Sequence, residues 1–178
     1  MYYRYTTGKI ERIRRAEEDG SFVNQPQNLN HENAFGGELT TTYRPFKWWK
    51  WTNDINLYRS IIDGRNITAD LEADTYSLRI KGSSKFTIKK KTDVQIRYLY
   101  RAPKRTTQGT RLAIYMINLA ASRDIFGDKG SLTLSVRDLF NSNRYRYTYE
   151  GDNFYTESRQ QWQSRNVRLT VNYRLGKK

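Results

Sequence analysis

The residues that could make or break a bond are few. His31 is the only histidine and there are no cysteines, which excludes a histidine-based triad, a multi-histidine metal site and a thiolate site. Carboxylates cluster at Glu17 and Glu18, and at Asp70, Glu72 and Asp74. A solvated loop accounts for each cluster, with divalent-cation binding as the alternative. No glycine motif that cradles phosphate is present. The sequence therefore predicts no enzyme, no cofactor and no metal site. What it does offer is charge: Arg79, Lys81, Lys85, Arg97, Arg101, Arg168 and Arg174 recur at the polar places of alternating segments, and rows of cations attract anions.

The elements that hold those cations read as strands. In the closing stretch "RNVRLTVNYRLGKK", Val167, Leu169, Val171, Tyr173 and Leu175 alternate with Arg168, Thr170, Asn172 and Arg174, the period of a strand with one apolar and one polar face. "YSLRIKGSSKFTI" places Tyr76, Leu78, Ile80, Phe86 and Ile88 opposite Ser77, Arg79, Lys81, Ser83, Lys85 and Thr87. "DVQIRYLYR" and "SLTLSV" repeat the pattern. No stretch keeps a 3.6-residue period, so the chain is expected to be all-β, with about eight antiparallel strands. Their expected ranges are 1–13, 34–44, 48–60, 75–88, 92–101, 110–124, 130–149 and 154–175, with Pro26, Pro45 and Pro103 in the connections.

Composition narrows the class. Apolar residues make up 37% of the 178 residues, with Tyr and Trp prominent among them, which leaves little for a conventional two-layer core. An aromatic content of 14% argues equally against disorder. With 32 basic and 18 acidic residues, the net charge is +14. Binding of nucleic acid by a soluble basic β-protein is one reading, but the basic residues are dispersed apart from "KKK" at 89–91. Nucleic acid is therefore not the expected partner. No continuous apolar run marks a signal peptide at the start.

Connection lengths carry more. Those near 45–47, 89–91 and 125–129 are short, whereas 14–33, 61–74 and 102–109 are longer, and 150–153 joins two long arms. Short and long connections alternate, the habit of an up-and-down transmembrane barrel with tight periplasmic turns and long external loops. Trp48, Trp49 and Trp51 lie beside a short turn, and Tyr145, Tyr147 and Tyr149 near a long loop. Those are the two heights at which aromatic girdles form. The alternative is that these rings pack a soluble core. In the seventh strand the apolar set changes parity between Val136 and Tyr145. A bulge around 137–143 is expected to restore the phase and turn Asp138 towards the lumen, unless the membrane zone ends earlier.

Several stretches then resemble one family. "GSLTLSVRDLFN", the descent "NFY.ES..QW.SRNV" and the closing "NYRLG" look like the C-terminal end of Bacteroidetes-type TonB-dependent receptors, in the outer membrane protein beta-barrel family. "YYRYTTGKIERIRR" and "ENAFGGELTTTYRPFKWWKWTNDINLYRS" fit its ascending and descending strands. The resemblance covers essentially the whole chain and is specific for family rather than for substrate. It implies an outer-membrane importer of nutrients, in which roughly 22 strands surround a plugged lumen. This chain would be one barrel segment over 1–178, the last eight strands, with no plug domain. The implied partners are outer-membrane lipid and lipopolysaccharide, the barrel-assembly machinery, the remaining strands and plug, and through them the periplasmic energy-coupling protein. Family members close on an aromatic residue read by the assembly machinery; here Leu175 holds that place and Tyr173 lies two residues before it. A self-contained eight-stranded barrel, acting as adhesin or anchor, is the alternative. On the barrel reading the cations named above line the lumen and favour anionic solutes. They would otherwise pair with carboxylates elsewhere in the complete barrel, or bind lipopolysaccharide near the rim.

Overall fold

A computed structural model describes residues 1–89, 91–127, 129–151, 153–162 and 165–175. Its elements are β1 (Tyr2–Ala16), β2 (Phe22–Phe46), β3 (Trp49–Asp63), β4 (Glu72–Ile88), β5 (Thr92–Arg101), β6 (Lys104–Thr106), β7 (Gly109–Arg111), β8 (Ile114–Ile125), β9 (Gly130–Arg137), β10 (Tyr145–Gly151), β11 (Phe154–Gln160) and β12 (Asn166–Tyr173). Every pairing is antiparallel. One eight-stranded sheet runs β1-β2-β3-β4-β5-β8-β9-β12, and a four-stranded sheet runs β11-β10-β7-β6. The large sheet is open, with β1 and β12 as its edges.

Alternation along the strands divides the large sheet into two faces. One carries Phe35, Leu39, Leu57, Tyr76, Tyr100, Tyr115, Leu132 and Leu134, all exposed. The other carries the buried polar residues Glu32, Asn56, Ser60, Thr75 and Ser77, because the small sheet folds across it. A soluble protein buries its apolar face; here the apolar face is the open one. The only compact apolar cluster among the described residues is Ile13, Leu29, Ile62, Leu71 and Ala73 with Ile67 against it, at the end of the sheet bearing the long connections.

The long connections are more ordered than their composition predicts. The expected loop 14–33 is instead a hairpin, with β1 and β2 paired out to Ala16 and Phe22. Its turn is closed by Glu17 N–H to Ser21 O and Gly20 N–H to Glu17 O. Between Leu29 and Glu32 the buried parity of β2 changes, and β1 changes with it at Gly8, which has φ 57°. Pro26 therefore lies inside β2, opposite Arg12, and Pro45 lies at an irregularity between Tyr43 and Phe46. Pro26 is tolerated because β3 ends at Asp63 opposite His31, so the next stretch of β2 has a free side. On that side Asn66 substitutes for the missing strand, accepting from Asn30 N–H and donating to Asn28 O.

The expected sixth, seventh and eighth strands each divide, the sixth into β7 in the small sheet and β8 in the large one. β9 ends at Arg137 and β10 begins at Tyr145, so a turn rather than a bulge changes the phase. Asp138 (φ 48°) and Asn141 (φ 52°) shape that turn. The Asp138 carboxylate is fully buried within it, accepting from Ser142 N–H, Asn143 N–H and the Ser142 hydroxyl. β10 then leaves the large sheet and pairs with β7.

On the open face a hydrogen-bonded chain crosses three strands. Trp51 Nε1 donates to the Tyr98 hydroxyl, which donates to Asn53 Oδ1, while Trp49 Nε1 donates to Ser84 Oγ. Tyr98 lies over Gly82, where an added Cβ would fall 2.4 Å from the Tyr98 oxygen and 2.6 Å from Thr52 O. Gly82→Ala is expected to expel the Tyr98 ring and lower stability by about 1–3 kcal/mol, the usual cost of overpacking. Tyr98→Phe, which removes only hydrogen bonds, is expected to cost less, ~1 kcal/mol. Denaturant midpoints followed by the fluorescence of Trp49 and Trp51 separate the two; equal shifts would mean that Gly82 is not needed for the approach.

Candidate functional site: a charged wall and a folded mouth

The mouth is built where β6, β7, β10 and β11 fold across the covered face. Lys104 Nζ lies 3.4 Å from the Tyr58 hydroxyl and 5.2 Å from its ring centroid. Arg105 N–H donates to Thr75 Oγ1, and the Thr107 hydroxyl donates to Glu11 Oε2. The Gln108 amide behaves as one strand residue for β1, accepting from Arg14 N–H at 2.7 Å and donating to Arg14 O at 2.9 Å. The Arg14 guanidinium sits 4.2 Å from the Tyr149 ring centroid and 5.6 Å from that of Phe22, which packs edge-on against Phe154. Four connections thus meet at one end. Between them lie clefts of about 250 and 460 Å3 that share Asp70, Thr107, Gln108, Glu150 and Gly151.

Two charges in the outermost turns are held by neighbours. The Ser21 hydroxyl and N–H hold the Asp19 carboxyl below its usual range. Hydrogen bonding to Asp63 raises the Arg65 guanidinium above its own. Both pairs sit within two residues of each other and tie a turn rather than form a site.

Below the mouth the covered face is a charged wall. Glu32 is buried, accepting from the Ser60 hydroxyl and paired with Lys9 Nζ at 2.7 Å. Asn56 Nδ2 donates to Glu38. The cations expected from the sequence sort into two groups. Arg79 and Lys81 share Asp54, at 4.0 and 3.6 Å, and Lys85 meets Asp93 at 2.7 Å. The side chains of Arg97, Arg101, Arg168 and Arg174 have no carboxylate partner among the described residues. Arg79 stands directly opposite Arg101, and Lys104 opposite Arg111. Like charges so placed repel. The Nε atoms of Arg79, Arg111 and Arg146 are buried without a hydrogen bond. Arg137, which shares the polar parity of Ser131, Thr133 and Ser135, joins this wall; the alternation of "SLTLSVR" held that signal unread.

On the open face Val167, Leu169, Val171 and Tyr173 are exposed along edge strand β12, and Leu175 follows it, also exposed. Trp48 and Trp49 stack with Phe46 and Phe86 beside the short β2–β3 turn, and Trp51 joins the Tyr98 chain. Tyr145, Tyr147 and Tyr149 belong to β10 in the small sheet, not to a strand of the large one. The Tyr147 and Tyr149 rings stack at 6.0 Å, and Tyr149 serves Arg14. Their placement differs from a girdle on the apolar face because the turn at Asp138 carries the chain out of the large sheet. His31 packs against Tyr5, 5.6 Å between ring centroids, and its Nδ1 lies 4.0 Å from Asp63 Oδ2; no group of three or more potential metal ligands occurs among the described residues.

An open apolar face, a covered polar wall and strands of 15 to 25 residues at one end of the chain define a transmembrane β-sheet of the barrel type. A family model for the outer membrane protein beta-barrel family matches residues 1–173. The chain belongs to that family, and its place is the outer membrane. No curated protein matches it, and no solved structure does.

Proposed function

We propose that this outer-membrane barrel protein is the wall of a TonB-dependent receptor that imports nutrients, and that its strands share a larger barrel with others. The observation that carries this reading is the open large sheet. Among the described residues no strand pairs with the outer edge of β1, capped only at Arg14 by Gln108, or of β12, and hydrocarbon does not tolerate such edges, since no water is present to satisfy them. Neighbouring strands would cover both edges, and a plug would occupy the space in front of the covered wall. The exposed apolar face would meet lipid and, at the outer rim, lipopolysaccharide. The β1–β2 hairpin, residues 64–71, β6–β7 and β10–β11 would grip cargo outside. A periplasmic partner would energise release inward by acting on the plug. β12, with Leu175 at the aromatic place, would be read by the assembly machinery. No step of this scheme requires bond chemistry or a cofactor.

The absence of cysteine makes the edge test direct. A photo-reactive residue at Thr6 in β1 or at Thr170 in β12, in the protein assembled in its native outer membrane, is expected to capture strands outside residues 1–178. The captured polypeptide is expected to carry a plug whose protease sensitivity changes when the inner membrane is depolarised. Capture of β12 by β1 within one chain would instead establish the small closed barrel, an adhesin or anchor. A captured polypeptide with no plug would reject import.

A further inference from the structure

Beside the paired cations of the wall lies a cleft whose lining holds two arginines and no carboxylate. It has a volume of about 270 Å3, and Gln95, Arg97, Asn118, Ser135 and Arg137 are among the residues that line it. Arg97 on β5 stands opposite Asn118 on β8. The register Leu119 to Val136 places Asn118 beside Arg137 on β9. The two arginines are therefore two strands apart, ~10 Å between backbones, with an amide midway.

The orientation of that amide is fixed. Asn118 Oδ1 accepts the Asp138 N–H at 2.8 Å, which leaves its NH2 as an unengaged donor on the other side. The carboxylates that could have neutralised the cleft are occupied. Asp93, two residues from Gln95, is held by Lys85 at 2.7 Å and by the Thr87 hydroxyl at 2.7 Å. Asp138, next to Arg137, is closed into its own turn by Ser142 and Asn143. What remains is two guanidinium forks and an amide NH2, the arrangement that recognises a tetrahedral or planar oxyanion through charge-assisted, bidentate hydrogen bonds.

We propose that Arg97, Asn118 and Arg137 form an oxyanion site on the inner wall, which takes the phosphate, sulfate or carboxylate group of a diffusible solute. The cleft holds the anionic group rather than a whole cargo molecule. The site rests on the covered face being the wet side of the barrel, and it does not require the barrel to be an importer. Arg101 and Arg168, also without carboxylate partners, flank it towards the mouth and towards edge strand β12, and extend the cationic lane on which such a solute would approach.

The test uses the full chain in native outer-membrane preparations, with inorganic phosphate as probe and equilibrium dialysis as readout. Saturable phosphate binding, displaced by sulfate, is expected. The double variant R97Q and R137Q is expected to weaken it at least ~10-fold, about what one lost charge-assisted hydrogen bond is worth. R123Q, whose residue stands opposite Leu132 with the apolar parity, is expected to leave binding unchanged. A cysteine at position 97 separates the two ways of failing. If a water-soluble maleimide does not reach it, the wet-face assignment falls and the site with it. If the maleimide reacts but phosphate does not bind saturably, or binds equally well in the double variant, the oxyanion site alone is overturned. Capture of a plug carboxylate by a cross-linker at position 137 would also overturn it, in favour of a contact within the barrel.

Discussion

Leu134→Arg is expected to abolish stable insertion, whereas Thr133→Arg on the neighbouring residue is expected to be tolerated. Leu134 lies on the exposed apolar face, 47% accessible, with Ala121 on one side and Leu169 on the other in the ladder. An arginine there has no protein carboxylate to meet and must carry its charge into hydrocarbon, at a cost of about 2–4 kcal/mol near the bilayer midplane. Thr133 points to the opposite face, where its hydroxyl meets that of Ser122 at 2.8 Å. Arginine at 133 forfeits that contact, worth ~1 kcal/mol, but keeps its guanidinium on the wall that already holds Arg97 and Arg137. The measurement is the fraction of each variant that resists extraction from outer membranes by urea. A loss confined to Leu134→Arg is expected. Equal losses, or a larger one for Thr133→Arg, would reverse the assignment of the faces and with it the oxyanion site.

The two faces were legible because strand alternation depends only on local backbone geometry. "SLTLSVR" and "RNVRLTVNY" state their parity without reference to any neighbour, and the register of β9 with β12 pairs like with like along its length. What the sequence could not show is which sheet a strand joins. Tyr145, Tyr147 and Tyr149 alternate as convincingly as Leu132 and Leu134, yet they pair with β7 and β11 over the mouth. The deciding event is the positive φ at Asp138 and Asn141, a backbone choice that a polar "DLFNSN" permits but does not announce. The stretch "NQPQNLN" failed for the opposite reason. It is polar on both sides because it projects past the last pairing with β3, so no alternation marks it as strand, and Pro26 argued further against it. The charged wall was legible as a set of residues but not as a set of partners. Nothing local tells that Asp54 serves Arg79 and Lys81, or that Asp93 serves Lys85, since each pair is joined across strands. Arg97 and Arg137 stand out as unpaired only once those pairings are known.

Asp138→Ala is expected to release the external hairpin from the wall. The carboxylate is fully buried and accepts two backbone N–H groups and a hydroxyl from Ser142 and Asn143, while Asn141 N–H donates to Asp138 O. Alanine removes every side-chain acceptor and leaves the two N–H groups without their partners, at about 1–3 kcal/mol for each that water does not reach. It also places a residue poorly suited to positive φ where Asp is tolerated. Asparagine keeps the conformation and one acceptor oxygen, and is expected to retain most of the turn. Glycine relieves the backbone but supplies no acceptor, so it separates strain from capping: if capping dominates, glycine should behave like alanine, not like asparagine. The readout is external proteolysis of intact cells. Cleavage within residues 138–162 should accelerate in Asp138→Ala and Asp138→Gly and remain slow in Asp138→Asn. The same release would free Asn118 from the Asp138 N–H, allowing its amide to turn over. Phosphate binding at the wall should therefore weaken in Asp138→Ala, with Arg97 and Arg137 still in place. If proteolysis accelerates but phosphate binding does not change, the turn governs the mouth alone and Asn118 contributes nothing to the oxyanion site.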